Sequence, residues 1–140
     1  MGRIMAIDYG QKRVGIAVTD ELQIFATALE TVAAHEIFTF LKKYFSQNKV
    51  DIVVIGEPKQ MNNTKSDAAR FIDPFVTKIK KEFPEMPIER YDERFTSKMA
   101  FQTMIDSGIG REKRKNKALV DSISATLILQ TYLESKTIKL

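Results

Sequence analysis

The feature that most constrains this chain is an aspartate, Asp8, placed where an apolar strand ends. The apolar runs Ile4–Ile7 and Val14–Val18 flank a short polar segment that contains Gly10. Two short apolar runs joined by a glycine-containing turn predict a β-hairpin. Apolar residues on both faces of its first strand predict a central strand that is covered on both sides. An aspartate at the end of such a strand needs a hydrogen-bond partner, a counter-charge or a metal, because a lone buried charge is very costly.

The rest of the chain alternates between strand and helix patterns. Periodicity and turn residues predict three further strands and four helices. The strands are Ile24–Val32, Val50–Gly56 and Ile88–Asp92, and the helices are His35–Lys49, Ser66–Phe83, Thr96–Gly108 and Ala118–Ser135. Glu57–Thr64 is a predicted loop. We expect Pro74 to kink or divide the second helix, because proline removes a backbone donor and clashes with the preceding turn.

The element order β-β-β-α-β-α-β-α-α predicts an α/β fold. Strands joined through helices pair in parallel and hairpins pair antiparallel, so we expect one mixed five-stranded sheet with helices on both faces. A length of 140 residues predicts a single domain over residues 1–140.

The usual side chains of soft metal sites are nearly missing from the composition. The chain has no cysteine and one histidine, His35. This excludes disulfides, thiolate metal sites and cysteine catalysis, and it argues against a serine–histidine triad. Any metal is therefore expected to be held by carboxylates, which favour a hard cation such as Mg²⁺ or Mn²⁺. The sequence starts directly with a strand rather than an export signal, and no apolar stretch is long enough to span a bilayer, so we expect a cytoplasmic protein.

The excess positive charge lies in one segment, Arg111–Lys117. The net charge is +4, and this segment alone holds five basic residues and one acidic residue. A concentrated basic segment suits a polyanion such as nucleic acid, although a solvated loop explains the charge equally well. Because the segment contains no apolar residue to bury, we expect it to be mobile without a ligand.

Three acidic residues stand where strands end or where an apolar helix begins. Asp8 ends the first strand, Glu93 follows the strand Ile88–Asp92, and Asp121 lies in the first turns of the last helix. In open α/β sheets, ligands bind outside the carboxyl ends of the strands. Carboxylates gathered there repel each other unless a cation lies between them. The set as a whole therefore favours a divalent metal site.

Each of these carboxylates also has an ordinary structural explanation. A strand-end aspartate such as Asp8 is commonly a turn residue that accepts backbone hydrogen bonds. Glu93 has a possible ion-pair partner in Arg94, the next residue. Asp121 lies near a helix N-terminus, where acidic residues are favoured. Taken one at a time, these explanations are the simpler ones.

The sequence resembles the YqgF family of Holliday-junction-resolvase-like nucleases, also called pre-16S rRNA nucleases. The resemblance covers nearly the whole chain and rests on four motifs in this order: Asp8-Tyr9-Gly10-x-Lys12-Arg13-Val14-Gly15-Ile16-Ala17-Val18-Thr19-Asp20, Gly56-x-Pro58, Asp92-Glu93-Arg94-x-Thr96-Ser97 and Lys117-x-x-x-Asp121. It implies a ribonuclease H-like fold and metal-dependent phosphodiester hydrolysis. The matching acidic residues are Asp8, Glu93 and Asp121, which would hold two Mg²⁺ or Mn²⁺ ions.

The implied substrate is nucleic acid, and the resemblance favours ribosomal RNA precursor, with ribosomal particles as partners of a monomer or homodimer. Branched DNA at a Holliday junction is the alternative substrate, and a non-catalytic RNA-binding or assembly factor is the alternative function. The candidate phosphate-binding residues are all cationic. They are Lys12, Arg13, Arg94, Lys113, Arg114, Lys115 and Lys117. Surface solvation explains the same cations without a ligand.

One position departs from the family pattern. Members commonly carry an apolar residue between Gly56 and Pro58, where this chain has Glu57. In the related RuvC resolvases the second acidic ligand lies near the end of the corresponding strand. Glu57 is therefore a candidate fourth carboxylate, or a substitute for Glu93, or a solvated loop residue. We favour Glu93.

Overall fold

The computed structural model describes residues 2–10, 12–57, 69–92 and 117–138. Five strands and three α-helices lie in these ranges. The strands are β1 (Arg3–Tyr9), β2 (Arg13–Thr19), β3 (Ala26–Ala33), β4 (Val50–Glu57) and β5 (Ile88–Asp92). The helices are α1 (Ile37–Gln47), α2 (Ala69–Glu82) and α3 (Lys117–Ile138), and a 3-10 turn at Ala34–Glu36 leads into α1.

The strands form one mixed sheet in the order β3-β2-β1-β4-β5. β1 pairs antiparallel with β2, and β2 pairs antiparallel with β3. β1 pairs parallel with β4, and β4 pairs parallel with β5. The predicted five-stranded mixed sheet and the central place of β1 are therefore confirmed. The strand Ile88–Asp92 has the predicted bounds.

The two faces of β1 belong to two separate apolar cores. Met5 and Ile7 pack in the core beneath α1 and α2. Ile4 and Ala6 pack in the core beneath α3. All four side chains are at most 1% exposed. Helices therefore cover both faces of the sheet, as the sequence predicts, and side-chain alternation along β1 assigns each residue to one face.

The turn between β2 and β3 makes the third strand start later than predicted. The carboxylate of Asp20 accepts hydrogen bonds from the backbone N–H groups of Ile24 and Phe25, at 2.8 and 2.9 Å. The backbone of Gln23, with φ of 61°, donates to the Asp20 carbonyl oxygen at 3.0 Å. Ile24 and Phe25 are thus held in the turn, and β3 begins at Ala26.

Proline does not divide the second helix. α2 is continuous from Ala69 to Glu82 with Pro74 inside it, so that part of the prediction is wrong. Ile72 lies before the proline and Ile79 after it, and both side chains are fully buried. Burial on both sides of the proline offsets the roughly 3 kcal/mol that an interior proline costs.

Two other element ends differ from the prediction. Glu57 belongs to β4 rather than to a loop, because its backbone pairs with Asp92 of β5. Lys117 is the first residue of α3 rather than the last of a mobile segment. The helix predicted over Thr96–Gly108 and the basic residues 111–116 lie outside the described residues. Among the described helices, none has the length and apolar character needed to cross a membrane.

The Asp20 turn predicts a pH dependence of stability. Backbone hydrogen bonds from Phe25 and Ile24 hold the pKa of Asp20 below its ordinary value. A carboxylate with a lowered pKa stabilises the fold at neutral pH, and this contribution is lost as the pH falls through the lowered pKa. We expect Asp20→Ala to lower the free energy of unfolding at pH 7 and to converge on the wild type below about pH 4.

Urea unfolding of the two proteins at several pH values measures this difference. Glu85→Ala, at an exposed acidic residue, is the matched control and should show no such convergence. A constant difference between wild type and Asp20→Ala across the pH range would contradict the assignment.

Candidate active site at the carboxyl edge of the sheet

Asp8 is the penultimate residue of the central strand. It is half-buried and follows Ile4 and Ala6 by the two-residue period of β1, so it lies on the face of the sheet that α3 covers. The neighbouring Tyr9 points to the opposite face, where its ring stacks on Phe75 of α2 with centroids 4.1 Å apart. This stacking holds the end of β1, and with it the backbone of Asp8, against α2.

Asp8 is flanked by two glycines. Gly15 of β2 is its direct cross-strand partner. On the other side Ile7 pairs with Ile55 of β4, and continuing that register by one residue sets Gly56 beside Asp8. Neither glycine has a side chain on the α3 face, although neighbouring strands lie only about 4.8 Å apart. We call this arrangement the glycine gap, defined by Asp8 and the two neighbouring positions without a side chain, Gly15 and Gly56.

The next strands outward bound the glycine gap. Thr31 of β3 pairs with Gly15, and Tyr91 of β5 pairs with Gly56. The ring of Tyr91 meets the ring of Tyr132 of α3 edge to face, with centroids 6.1 Å apart. In the register of the sheet, the glycine gap therefore lies between Thr31 and the half-buried Tyr91.

A tight turn fixes the backbone immediately after Asp8. The N–H of Gly10 donates to the carbonyl oxygen of Arg13 at 2.9 Å. A Cβ atom at Gly10 would lie 2.7 Å from that same oxygen. Only glycine fits this turn without displacing the backbone, so the hairpin that carries Asp8 depends on Gly10.

Two predicted phosphate-binding residues lie on this hairpin. Lys12 is exposed, and Arg13 is half-buried at the start of β2. Arg13 precedes Gly15 by one two-residue period, which places it on the same face as Asp8. The hairpin thus brings one cation to the face of the glycine gap and a second to the adjoining surface.

Helix α3 is fixed over the same face. Ala125, Ile128 and Leu129 are fully buried against residues of β1, β2 and β4. Ser124 is also buried, 1% exposed. Burial raises the pKa of Tyr132, and the nearby Glu89 carboxylate raises it further, so its hydroxyl stays protonated. Asp121, the fifth residue of α3, precedes Ala125 by one helical turn.

Two further acidic residues, Glu57 and Asp92, end the neighbouring parallel strands, and of these only Glu57 is a predicted candidate ligand. Glu57 and Asp92 are the last residues of β4 and β5, and their backbones pair. The carboxyl ends of β1, β4 and β5 therefore meet at one edge, and Glu93 follows Asp92 directly in the sequence. Glu93, Arg94, Lys113, Arg114 and Lys115 lie outside the described residues, so the full site remains a prediction.

The donor chemistry at this edge fits a hard cation. A half-buried carboxylate offers oxygen ligands, which Mg²⁺ and Mn²⁺ prefer. The single histidine is far more exposed: the side chain of His35 on the 3-10 turn is 81% exposed. Within the described part of the chain, no three acidic or histidine side chains form a group that could hold a metal. Asp8 would need the carboxylates of neighbouring elements to complete a site.

Sequence reasoning identified Asp8 but missed the glycine gap. Gly15 and Gly56 are 41 positions apart in the printed sequence, and only the strand register brings both to Asp8. The one signal available in the sequence was that each glycine interrupts an otherwise apolar strand pattern. In a strand, glycine commonly marks a site of close approach.

Comparison with known proteins identifies the family of this chain. A family model described as "RuvX: Holliday junction resolvase" matches residues 2–135. The chain belongs to the RuvX family. This confirms the predicted YqgF membership, since RuvX and YqgF denote the same family.

Relatives of this RuvX-family chain match it over almost their whole length. A protein of Flavobacterium psychrophilum named "Putative pre-16S rRNA nuclease" is 62% identical, with 97% of this chain and 99% of the relative covered. A protein of Bacteroides thetaiotaomicron with the same name is 56% identical, with the same coverage.

Solved structures show the fold of the RuvX-family chain. RuvC of Thermus thermophilus, solved with a Holliday junction substrate, superposes with a TM-score of 0.58 at 16% identity, covering 98% of both chains. A second structure of that RuvC gives a TM-score of 0.55 at 14% identity, covering 96% of this chain and 97% of RuvC. The predicted ribonuclease H-like fold class is therefore confirmed.

Proposed function

We propose that this RuvX-family protein is a metal-dependent nuclease that hydrolyses phosphodiester bonds in the 5′ processing of pre-16S ribosomal RNA. The observation that carries the proposal is the position of Asp8, half-buried beside the glycine gap at the carboxyl edge of the sheet. Ligands of open α/β sheets bind at this edge. The nuclease names of the relatives support the reaction class.

Glu93 and Asp121 are the proposed partners of Asp8. Tyr91 lies on the α3 face of β5, and Glu93 follows it by two residues, which is the side-chain period of a strand. Asp121 precedes the buried Ala125 by four residues, which is close to one helical turn. On the basis of these two spacings, we propose that both carboxylates join Asp8 in one metal site.

The same period argues against Glu57 as a ligand. Ile55 packs in the core beneath α1 and α2, and Glu57 is two residues further along β4. Strand alternation therefore assigns position 57 to the face opposite Asp8. This supports Glu93 as the second acidic ligand.

The proposed metal site would contain Mg²⁺ or Mn²⁺, as two ions, held by Asp8, Glu93 and Asp121. Bound divalent ions would neutralise the carboxylates, activate water and stabilise the leaving oxygen of a phosphodiester. Asp8 is the natural shared ligand because its backbone pairs with Gly15, and Ile7 before it pairs with Ile55 of β4.

The cations around this edge are the proposed contacts to the sugar–phosphate backbone. Arg13 lies on the Asp8 face, and Lys12 is exposed beside it. Arg94 follows Glu93, and Lys117 opens α3 one turn before Asp121. The other contacts are assigned to the basic segment: Lys113, Arg114 and Lys115.

Branched DNA is the second candidate substrate, because the matching family model is described as a Holliday junction resolvase. A cleavage assay separates the candidates. Ribosomal precursor RNA, a four-way DNA junction and single strands are each incubated with Mg²⁺, with Mn²⁺ and with EDTA. Cleavage of the precursor at its 5′ side that EDTA abolishes supports the proposal. Cleavage of the junction alone would assign the DNA substrate, and binding of RNA without cleavage would indicate an assembly factor.

The first prediction concerns Asp8. Asp8→Asn should abolish cleavage while the fold is retained, because the amide keeps the size of the side chain and loses the charged ligand. The melting temperature of this variant should equal or exceed that of the wild type, because carboxylate repulsion is relieved. Mn²⁺ should raise the melting temperature of the variant less than that of the wild type. Glu85→Gln, at an exposed acidic residue in the turn before β5, is the control. Full activity of Asp8→Asn would remove Asp8 from the mechanism.

The second prediction separates the two glutamates. Glu93→Gln should reduce cleavage and the Mn²⁺-induced rise in melting temperature, whereas Glu57→Leu should leave both close to wild type. The reason is the face assignment by strand alternation. If Glu57→Leu reduces cleavage and the Mn²⁺-induced rise in melting temperature as much as Glu93→Gln does, Glu57 is a ligand and the assignment is wrong.

The third prediction concerns the basic segment. Replacing Lys113, Arg114 and Lys115 by Ser should weaken RNA binding across all sequences and reduce the slope of log affinity against log salt by roughly two to three units. Binding titrations at several salt concentrations measure this. The matched control replaces three exposed cations of α1 and α2 by Ser: Lys43, Lys80 and Lys81. An equal change in both triple variants would mean that total charge, and not this segment, determines binding.

A further inference from the structure

The large exposed apolar side chains of the described residues are concentrated in one short stretch. Leu22 is 66% exposed, Ile24 57%, Phe25 70% and Leu29 39%. These four residues span only the turn before β3 and the middle of β3 itself. We call them the β3 edge patch. Exposed apolar side chains grouped in one short stretch of a folded protein commonly mark an interaction surface.

The turn that carries three of these residues is held in place by hydrogen bonds. Asp20 binds the backbone of Ile24 and Phe25. The side-chain amide of Gln23 donates to the carbonyl oxygen of Gly2 at 2.6 Å and to the Asp51 carboxylate at 3.0 Å. The apolar side chains are therefore presented by an ordered backbone. A preorganised surface loses less entropy when it binds a partner.

β3 is an edge strand of the sheet, because the strand order begins with it. Natural proteins protect such edges with lysine, proline or inward charges. β3 reads Ala-Thr-Ala-Leu-Glu-Thr-Val-Ala and holds one charged residue, Glu30. The register to β2 skips Leu29, so a bulge is present, which is a common protective device. Here the extra residue of the bulge is an exposed leucine, which adds apolar surface rather than charge.

We propose that a second copy of this chain covers the β3 edge patch, with the two β3 strands paired antiparallel about a two-fold axis. Two identical edges related by such an axis are antiparallel, which matches their backbone donors and acceptors. The sheet would then continue from one subunit into the other. This inference concerns the edge opposite β5 and is independent of the proposed nuclease function.

The side chains of β3 are complementary to themselves in one register. A two-fold axis perpendicular to the sheet sets one residue opposite its own copy. Centred on Glu30, the axis would oppose two carboxylates, which is destabilising. An axis that passes beside Leu29 places the Leu29 side chains of the two copies opposite each other. The same axis places Phe25 of one copy opposite Ala33 of the other. A large exposed ring just before one β3 strand then meets a small residue at the end of the other.

The composition of the chain allows a sharp test of this register. The chain has no cysteine, so one introduced cysteine can form a disulfide only with its own copy. Directly opposed residues of antiparallel strands have Cα atoms about 4.5 to 5.5 Å apart, which is within the range for a disulfide. Leu29→Cys should therefore cross-link under mild oxidation. The control is Lys43→Cys, at an exposed position of α1, which should cross-link far less.

Sedimentation equilibrium tests the association itself. The wild type should show a concentration-dependent dimer, and Phe25→Ser with Leu29→Ser should weaken association by at least about tenfold, because apolar anchors dominate interfaces. Circular dichroism melting checks that the double variant is folded. The proposal is overturned if the wild type stays monomeric up to about 200 µM, if the folded double variant dimerises as well as the wild type, or if both cysteine variants cross-link equally. The cross-linking result decides the matter if the double variant does not fold.

Discussion

The register of β1 between its two neighbours is the constraint on which the rest of the structure depends. One set of alternate residues must enter the core beneath α1 and α2, and the other set must enter the core beneath α3. A slip of one residue would exchange the two faces of the strand. Asp8 would then point toward Phe75, into apolar surroundings where a lone carboxylate is costly. Burial of both faces therefore fixes where Asp8 lies, and pairing with Gly15 fixes what lies beside it.

Much of the fold could be predicted because its signals are local. The apolar pattern of β1 and β2, the β-branched run of β4 and the buried stripe of α1 each predict their own element. The errors arose where distant contacts outweigh a local signal. Pro74 stays inside a helix because buried side chains hold the chain on both sides of it. Glu57 extends β4 because β5 supplies a pairing partner. β3 begins two residues later than predicted because the Asp20 carboxylate accepts hydrogen bonds from two backbone amides of the turn.

The site was predicted less completely than the fold. The sequence alone identified Asp8 as a candidate site residue, because an acidic residue at the end of an apolar strand requires a partner. The gap beside it was not identified in this way, because Gly15 and Gly56 reach Asp8 through cross-strand register, which the linear sequence does not contain. The choice between Glu57 and Glu93 had the same difficulty. It became arguable once Ile55 and Tyr91 were seen to occupy opposite faces of the sheet.

The central claim is that Asp8 holds a divalent metal in the glycine gap together with Glu93 and Asp121. Diffraction from a crystal of the protein soaked in Mn²⁺, recorded where manganese scatters anomalously, tests this most directly. The account predicts anomalous peaks on the α3 face of the sheet, coordinated by Asp8 and by carboxylates of Glu93 and Asp121. An ordered site without manganese at Asp8, or manganese held by Glu57 in place of Glu93, would contradict it.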